Sequence, residues 1–286
     1  MAAEVLSVWP APAKINLFLH VLGRRADRYH RIQTVFQLVD LCDRVLIQPS
    51  DDGRIERYGE LASVRADQDL SLTAARLLQQ ASGSRKGARI GLDKRIPIGA
   101  GLGGGSSDAA TVLVGLNRIW GLGLDTVTLA ALGLQLGADV PLFVHGRSAW
   151  ADGIGEQLLP IALPEAWYVV IFPGVAVSTP EVFNDPALTR DTPPTTIPRF
   201  LSGEATRNDL QAPAVARCPE IGAALAWLDR FAPARMSGSG SSVFARVAMR
   251  EQGDAVVRRC PPAWQSFVVR GLSASPLVQA DAAWLG

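Results

Sequence analysis

The 286-residue sequence predicts an α+β protein made of two-layer α/β sandwich domains. Strand-like runs with a period of two and helical runs with a period of 3.6 occur in both halves of the chain. Hydrophobic residues make up 48% of the chain and charged residues 19%, which is typical of a well-packed globular protein. This length and a break in the pattern near residues 150–165 indicate two domains, residues 1–155 and residues 156–286.

The charge and the cysteine content exclude several classes of protein. Lys and Arg number 28 and Asp and Glu 27, so the chain lacks the basic excess that nucleic acids or anionic membranes attract. Cys42, Cys218 and Cys260 are too few and too widely spaced for a disulfide framework or a cysteine zinc site. We find no signal peptide and no membrane-spanning segment. We therefore expect a cytoplasmic protein, a monomer or weak homodimer, that binds neither nucleic acid nor membrane.

The first third of the chain alternates strand-like runs with turns. One face of the first strand carries Lys14, Asn16, Phe18 and His20, an unusual mixture for a core strand. A helix follows, and Gly83 is placed to end it. The predicted elements are strands over residues 14–21, 33–39, 44–48 and 88–96, the first three as an antiparallel meander, and a helix over residues 67–80.

A glycine-rich segment precedes a helix with one apolar face, which is predicted over residues 108–120. Glycine permits positive φ and lets a ligand approach backbone N–H groups, and such groups at a helix N-terminus bind anions. We therefore predict a polyphosphate site, although a flexible linker or tight turn is the alternative. The segment matches neither the Walker A loop nor the dinucleotide GxGxxG loop. The residues assigned to the site are Pro97, Ile98, Gly99, Ala100, Gly101, Leu102, Gly103, Gly104, Gly105, Ser106 and Ser107.

The second half contains a further small-residue cluster, Met236 to Ser242, which precedes a strand. Taken alone it is typical of a hairpin turn, but two such loops in one chain favour closure on the same phosphate. The remaining predicted elements are helices over residues 125–136, 221–231 and 251–259, strands over residues 167–172, 242–247 and 267–269, and a surface loop over residues 185–198.

Three segments together resemble the GHMP family of small-molecule kinases: PAKINL at residues 12–17, PIGAGLGGGSSD at residues 97–108 and MSGSG at residues 236–240. Supporting segments are RRADRYH at residues 24–30, GADVPLF at residues 137–143 and PEVF at residues 180–183. These segments cover nearly the whole chain in the family's order. The resemblance implies the GHMP-kinase fold, with the active site in the cleft between the two domains.

The resemblance also implies a reaction. It implies an ATP-dependent kinase of the non-mevalonate pathway of isoprenoid biosynthesis that phosphorylates the 2-hydroxyl of cytidine diphosphate methylerythritol. The cofactors are then ATP and Mg²⁺, and beyond the Mg²⁺ carried with ATP no metal site is expected. Lys94, just before the glycine-rich segment, is a candidate nucleotide contact, with an exposed strand lysine as the alternative.

For catalysis the resemblance points to Asp139 and Lys14. Phosphoryl transfer asks mainly for positioning and charge stabilisation. We expect Asp139 to act as general base or to orient the hydroxyl, and Lys14 to be its cationic partner. From spacing alone, a surface lysine and a helix-capping aspartate are the alternatives.

Aromatic residues are assigned to the base of the substrate. Tyr29, His30 and Phe183 are candidates for holding cytosine, because a pyrimidine offers two faces for stacking and an edge for hydrogen bonds. Asn16 shares a strand face with Lys14 and is a candidate for binding a substrate hydroxyl or phosphate. A strand-end turn partner is the alternative for Asn16.

Some positions depart from the family pattern. Arg28 stands where glycine is common, Asp69 replaces an asparagine expected near adenine, and Ser241 and Ser242 replace Ala-Cys. Competing functions are a kinase of the same fold that acts on homoserine, mevalonate or a sugar, and a non-catalytic nucleotide-binding protein. The presence of both Lys14 and Asp139 disfavours the latter.

Overall fold

The structure, a computed structural model, describes residues 6–59 and 69–279. The strands are β1 (Ser7–Arg24), β2 (His30–Ser50), β3 (Ile55–Arg57), β4 (Gly87–Asp93), β5 (Ala149–Asp152), β6 (Gln157–Pro160), β7 (Trp167–Phe172), β8 (Ala234–Met236), β9 (Val243–Val247) and β10 (Gln265–Leu272). The helices are α1 (Leu70–Ser82), α2 (Gly104–Ile119), α3 (Thr126–Leu136), α4 (Val140–His145), α5 (Thr179–Phe183), α6 (Ile197–Leu201), α7 (Gln211–Arg217), α8 (Pro219–Leu228), α9 (Arg250–Val257) and α10 (Pro276–Gln279).

Within the described residues the strands form one mixed sheet. Its main path runs β3-β4-β2-β10-β7-β9-β8, while β1 pairs with β2, and β5 pairs with β2 and β6. Only β3 and β4 are parallel. The join between the two parts of the sheet is narrow, because β10 pairs with β2 through Gly271–Val39 and Leu272–Leu38 alone.

Two hydrophobic clusters lie on either side of this join. The first packs α1, α2, α3 and α4 against β1, β2 and β4, with Leu113, Phe143 and Ile47 fully buried. The second packs α7, α8 and α9 against β7 and β9, and it also includes Leu19 and Val21 from β1. The long first strand therefore contributes to both clusters.

The two predicted strands over residues 33–39 and 44–48 are one strand, β2. No turn separates them, because pairing with β1 continues through this stretch, with a register shift between Pro12 and Ala13. Asp43 is fully buried and accepts hydrogen bonds from the backbone N–H groups of Arg95 (2.5 Å) and Ile96 (2.8 Å). These hydrogen bonds stabilise the buried carboxylate within the strand. Sequence periodicity does not predict them, because both donors lie some 50 residues further along the chain.

Several helix boundaries also differ from the prediction, among them the end of α8, at Leu228 instead of residue 231, and the starts of α2 and α1. Helix α2 begins at Gly104, four residues before the predicted start, because Gly103 adopts the left-handed conformation that opens it. Helix α1 begins at Leu70, with the Asp69 side chain as its N-cap, and Gly83 ends it as predicted. Residues 67 and 68 of the predicted helix lie outside the described residues.

Residues 185–198 were predicted as a surface loop, but several of its side chains are buried. Leu188, Thr192 and Thr195 are 5–7% exposed. The Thr192 N–H donates to the carbonyl of Val21 (3.1 Å), and the Thr195 N–H donates to the Gln33 side chain (2.9 Å). The segment therefore packs on the β1–β2 hairpin because its backbone groups find partners there.

The division into residues 1–155 and 156–286 stays a prediction. The hairpin of β5 and β6 spans that position, so we propose that the division follows Pro160. None of the helices in the described part of the chain combines the length and the apolar character needed to cross a bilayer.

Candidate active site

The glycine-rich segment lines a cleft of about 430 Å³. Every residue from Pro97 to Ser106 contributes to its wall, together with Asp69, Lys94 and Asp108. Gly99, Gly101 and Gly103 have φ of 70° to 74°, a region that other residues rarely adopt. The cleft therefore has a wall of exposed backbone.

The second small-residue cluster lies directly against this wall. A Cβ atom on Gly101 would stand 2.5 Å from the carbonyl oxygen of Gly240 and 2.8 Å from that of Ser237. The Ser242 N–H donates to the carbonyl of Ala100 (3.0 Å). The fold thus brings together the two loops that the sequence places some 130 residues apart, and only glycine allows this approach at position 101.

The cleft wall ends at the N-terminus of α2. No side chain caps this helix, and its first intrahelical bond in the turn runs from the Ser107 N–H to the carbonyl of Gly103 (2.9 Å). The preceding N–H groups have no intrahelical acceptor and carry the positive end of the helix dipole. Ser106 lines the cleft, whereas Ser107 is fully buried, and its hydroxyl has no partner among the described residues.

Lys14 joins the end of the loop to Asp139. Its buried ammonium donates to the Gly101 carbonyl (3.1 Å) and lies 3.4 Å from Oδ2 of Asp139. Its own backbone N–H donates to the Leu102 carbonyl (2.9 Å), which places β1 beside the loop. Asp139 stands just before α4 without capping it, and its side chain is 31% exposed. Neither the surface-lysine nor the capping alternative fits this arrangement.

Asn16 holds Lys14 in place. Its Oδ1 accepts from the Lys14 ammonium (2.7 Å), and its Nδ2 donates to Thr34 (3.0 Å). Its backbone N–H donates to the Ser237 hydroxyl (3.1 Å) of the second loop. Asn16 is 2% exposed, so this geometry supports a role in positioning Lys14, and its contact with substrate stays a prediction.

Lys94 lines the cleft, but two carboxylates bind its ammonium. Nζ donates to Asp108 (2.6 Å) and to Asp43, and all three side chains are at most 12% exposed. Burial alone would lower the pKa of Lys94, but the charges of Asp108 and Asp43 outweigh it and raise the pKa. Burial raises the pKa of Asp108 to about 7, although Lys94 opposes the shift. Lys94 is thus not the exposed strand lysine of the alternative interpretation.

Asp69, the departure near the expected adenine site, has two structural partners. Its Oδ1 caps α1 by accepting from the Ser71 N–H (2.9 Å), and its Oδ2 pairs with Arg57 (2.8 Å). Both oxygens are therefore engaged at the edge of the cleft.

The three residues assigned to cytosine lie at the far end of the β1–β2 hairpin. His30 and Phe183 are stacked on each other, with ring centroids 5.2 Å apart and planes 26° apart. His30 is buried, and burial, followed by the charges of Arg190 and Arg24, lowers its pKa. Tyr29 is 60% exposed. The structure thus brings His30 and Phe183 together and leaves Tyr29 open to solvent beside them.

Sequence reasoning missed four residues that shape the site: Asp43, Asp108, Arg190 and Asn208. Asn208 Nδ2 donates to the carbonyls of Met236 (2.8 Å) and Gly238 (2.7 Å) and so holds the second loop. Charged residues within otherwise apolar runs were the available signal for Asp43 and Asp108. Nothing in the sequence pattern singled out Arg190 or Asn208, whose partners are distant in the chain.

Comparison with known families identifies the class of protein. The GHMP kinases N terminal domain matches residues 69–147, and the GHMP kinases C terminal domain matches residues 200–264. The chain belongs to the GHMP kinases. The first match contains the glycine-rich segment and Asp139, and the second contains the loop that packs against it.

Similarity to individual kinases is more informative than the match to the family. The chain is 56% identical over 270 residues to a 4-diphosphocytidyl-2-C-methyl-D-erythritol kinase of Alkalilimnicola ehrlichii, covering 94% of this chain and 92% of the relative. It is 54% identical to the enzyme of that name from Halorhodospira halophila, covering 95% of each. A crystal structure of 4-(cytidine 5'-diphospho)-2C-methyl-D-erythritol kinase superimposes with a TM-score of 0.82 at 36% identity, covering 92% of this chain and 98% of that one.

More distant structures share the fold. The mevalonate kinase of L. major, in complex with R-mevalonate, superimposes with a TM-score of 0.68 at 15% identity, covering 96% of this chain and 98% of that one. The GHMP-kinase fold predicted from the sequence is therefore confirmed.

Proposed function

We propose that this chain is a 4-diphosphocytidyl-2-C-methyl-D-erythritol kinase, which transfers the γ-phosphoryl group of ATP to the 2-hydroxyl of its substrate. The reaction belongs to the non-mevalonate pathway of isoprenoid biosynthesis. The observation that carries the proposal is the position of Lys14, which contacts both the glycine loop at Gly101 and the carboxylate of Asp139. Identities of 50–56% to curated kinases of this name supply the substrate.

ATP binds in the cleft beneath the glycine loop. The triphosphate fits a wall where a Cβ atom would collide with neighbouring backbone and where α2 presents free N–H groups. Mg²⁺ would be held by the phosphate oxygens, with Ser106 and Asp139 as oxygen ligands or as partners of its water. No cluster of three acidic, histidine or cysteine ligands occurs among the described residues, so the nucleotide itself supplies much of the coordination. When bound, Mg²⁺ would supply positive charge that offsets the negative charge of the transferred group.

Lys14 and Asp139 act at the acceptor hydroxyl. The partly exposed carboxylate of Asp139 accepts the hydrogen bond of the hydroxyl and aligns its oxygen with the terminal phosphorus. The buried ammonium of Lys14 lies between this carboxylate and the loop, where it stabilises the negative charge that develops on the transferred group. Asn16 keeps the ammonium in this position.

The cytosine of the substrate binds at the His30–Phe183 pair. A base inserted between the two rings would need them about 7 Å apart, which is twice an aromatic contact distance. The observed 5.2 Å leaves no space for a base between the rings, so the base lies edge to edge with His30, with the exposed Tyr29 ring as a stacking partner.

A direct assay tests the function. The purified protein is incubated with Mg²⁺, ATP and 4-diphosphocytidyl-2-C-methyl-D-erythritol, and phosphorus NMR locates the new phosphate. We expect one new phosphomonoester on the 2-hydroxyl and one ADP per product. Homoserine, mevalonate and galactose are the comparison substrates, and preferential turnover of any of them would overturn the proposed function.

A further inference from the structure

Arg190 joins the two rings assigned to cytosine. It lies in the segment that follows α5, and its half-buried guanidinium makes four hydrogen bonds. Nε donates to Nε2 of His30 (3.2 Å), and Nη1 donates to the carbonyl of Leu188 (3.0 Å). Nη2 donates to the carbonyls of Phe183 (3.0 Å) and Asp185 (2.8 Å). One side chain therefore contacts His30 and the backbone that carries Phe183.

The contact with His30 decides which ring nitrogen carries the proton. A guanidinium can only donate hydrogen bonds, so Nε2 of His30 must accept. A neutral imidazole with an accepting Nε2 has its proton on Nδ1. Burial, followed by the charges of Arg190 and Arg24, lowers the pKa of His30 and so favours the neutral ring. Arg190 thus makes Nδ1 a hydrogen-bond donor, and this atom has no protein partner among the described residues.

The contacts with backbone carbonyls fix the second ring. Helix α5 has only five residues and too few intrahelical bonds to hold its own end. Nη2 binds the carbonyls of the last helical residue, Phe183, and of Asp185 just beyond it. The carbonyl oxygens at a helix C-terminus carry partial negative charge, which the guanidinium offsets. Phe183 is thereby held at stacking distance from His30.

We propose that Arg190 is the positioning residue that makes this site select a cytosine over a uracil base. The proposal rests on the proposed function. Cytosine presents a lone pair at N3, whereas uracil carries a hydrogen there, so a donor fixed at Nδ1 of His30 pairs with the first and opposes the second. Arg190 contacts no substrate itself and acts through the tautomer of His30 and the orientation of Phe183.

The kinetic test replaces Arg190 with Gln and, separately, with Lys, which keeps the charge but loses the planar guanidinium. We expect KM for the cytidylated substrate to rise 10-fold to 100-fold in Arg190→Gln, with kcat and the KM for ATP changed less than threefold. The preference for the cytidine over the uridine diphosphate substrate should fall at least 10-fold. Arg190→Lys should recover little of this preference.

Arg217→Gln is the matched control. Arg217 also binds this segment, through Asp185 (3.0 Å) and Glu181 (3.4 Å), but it makes no contact with His30. A merely structural role for arginines around α5 would give both variants the same kinetics. Equal base preference in Arg190→Gln and Arg217→Gln would overturn the proposal.

A second test measures the wild-type protein and therefore does not depend on whether a variant folds. Nitrogen-15 NMR of the imidazole groups reports the tautomer, and the chain has only three histidines to assign. We expect His30 to carry its proton on Nδ1 in the wild type and to show mixed tautomers in Arg190→Gln. A wild-type His30 protonated on Nε2 would overturn the proposal even while the kinase assay succeeds. Loss of the proposed function would instead appear as no turnover of the cytidylated substrate by the wild type.

Discussion

At the scale of single residues, Lys14 connects the glycine-rich loop to Asp139. Its ammonium is buried, and its three polar partners come from separate segments: Asn16 on β1, Gly101 on the loop and Asp139 before α4. Phe36 adds a cation–π contact at 5.5 Å. A charge held in this way costs no reorganisation when the transition state forms.

Removal of either charge of the catalytic pair should stop the reaction. Lys14→Met and Asp139→Asn are each expected to lower kcat by about 100-fold to 10,000-fold. The affinity for ATP should stay within a few-fold of wild type, because in the proposed binding mode backbone N–H groups hold the triphosphate. ADP release and calorimetric ATP titration measure the two quantities. The matched controls are Lys86→Met and Asp125→Asn, at exposed positions outside the cleft. Near-normal turnover in either catalytic variant would contradict the assignment.

Arg28, which stands where the family commonly has glycine, adopts a strained backbone conformation. It has φ of 71°, and it is the one non-glycine residue with positive φ in the described part of the chain. The left-handed region costs a non-glycine residue about 1–2 kcal/mol. The glycine common at this position in the family would avoid that strain.

Arg28→Gly should therefore stabilise the protein. We expect the free energy of unfolding to rise by about 0.5–1 kcal/mol, since the greater entropy of unfolded glycine offsets part of the relief. Urea unfolding monitored by circular dichroism measures the change. Ala26→Gly, in the same turn at negative φ, is the control and should lower stability. An equal loss of stability in both variants would refute strain at Arg28.

At the scale of elements, the glycine loop and α2 form one unit. Gly103 ends the loop in the left-handed conformation, and the helix starts at the next residue. The crowding around the loop differs strongly between glycines. A Cβ at Gly101 meets backbone at 2.5 Å, whereas a Cβ at Gly105 has its nearest neighbour, a methyl group of Leu70, at 3.8 Å.

Alanine substitutions should separate these two positions. Gly101→Ala is expected to destabilise the fold by at least about 1–2 kcal/mol from its backbone conformation alone, with the collision in addition. It should also weaken ATP binding, because the loop must move away from the Gly240 carbonyl. Gly105→Ala, the matched control, should be neutral or stabilising by up to about 1 kcal/mol. Thermal unfolding and ATP titration test both, and equal effects would contradict the packing account.

At the scale of the whole molecule, three distant segments meet in one buried charge cluster. Asp43 comes from β2, Lys94 follows β4, and Asp108 lies in α2. Two carboxylates share one ammonium in this cluster, next to the glycine-rich loop. Oδ1 of Asp108 is buried without a partner among the described residues. Burial raises the pKa of Asp108 to about 7, the charge of Lys94 opposes this shift, and the charge of Asp43 adds to it.

This shift gives Asp108 a defined effect on stability. Its pKa in the folded chain is higher than the ordinary aspartate value of 3.8, so between about pH 4 and 7 the folded state binds more protons than the unfolded state. The stability that this group contributes is present at low pH and is lost as the pH rises through 7. Asp108→Asn removes the dependence and leaves Lys94 paired one-to-one with Asp43.

We expect Asp108→Asn to gain stability relative to the wild type as the pH rises from 5 to 8, by about 2–3 kcal/mol, because about two pH units separate pH 5 from the folded pKa. Urea unfolding at pH 5, 6, 7 and 8 measures this difference. Asp93→Asn, at an exposed ion pair with Arg95, is the control and should give a curve parallel to the wild type. Parallel curves for Asp108→Asn as well would rule out the pKa shift.

Much of this protein follows from local sequence. The period-two face of β1, the caps of α1 and α3 at Asp69, Gly83 and Asp125, and the glycine loop before α2 all depend on residues close together in the chain. The order of the family segments along the chain then identified the GHMP-kinase fold. Local geometry and composition are enough for these features because their hydrogen bonds close over a few residues.

The tertiary structure alone decided which charges meet. Lys14 lies 125 residues from Asp139, Asp43 lies 51 residues from Lys94, and Arg190 lies 160 residues from His30. Periodicity indicates which face of a strand or helix is buried, but it contains no information about the partner that a buried charge will find. For that reason β2 was predicted as two strands, and Arg190 was overlooked. Burial makes such pairs obligatory, because an isolated charge inside the protein is too costly to keep.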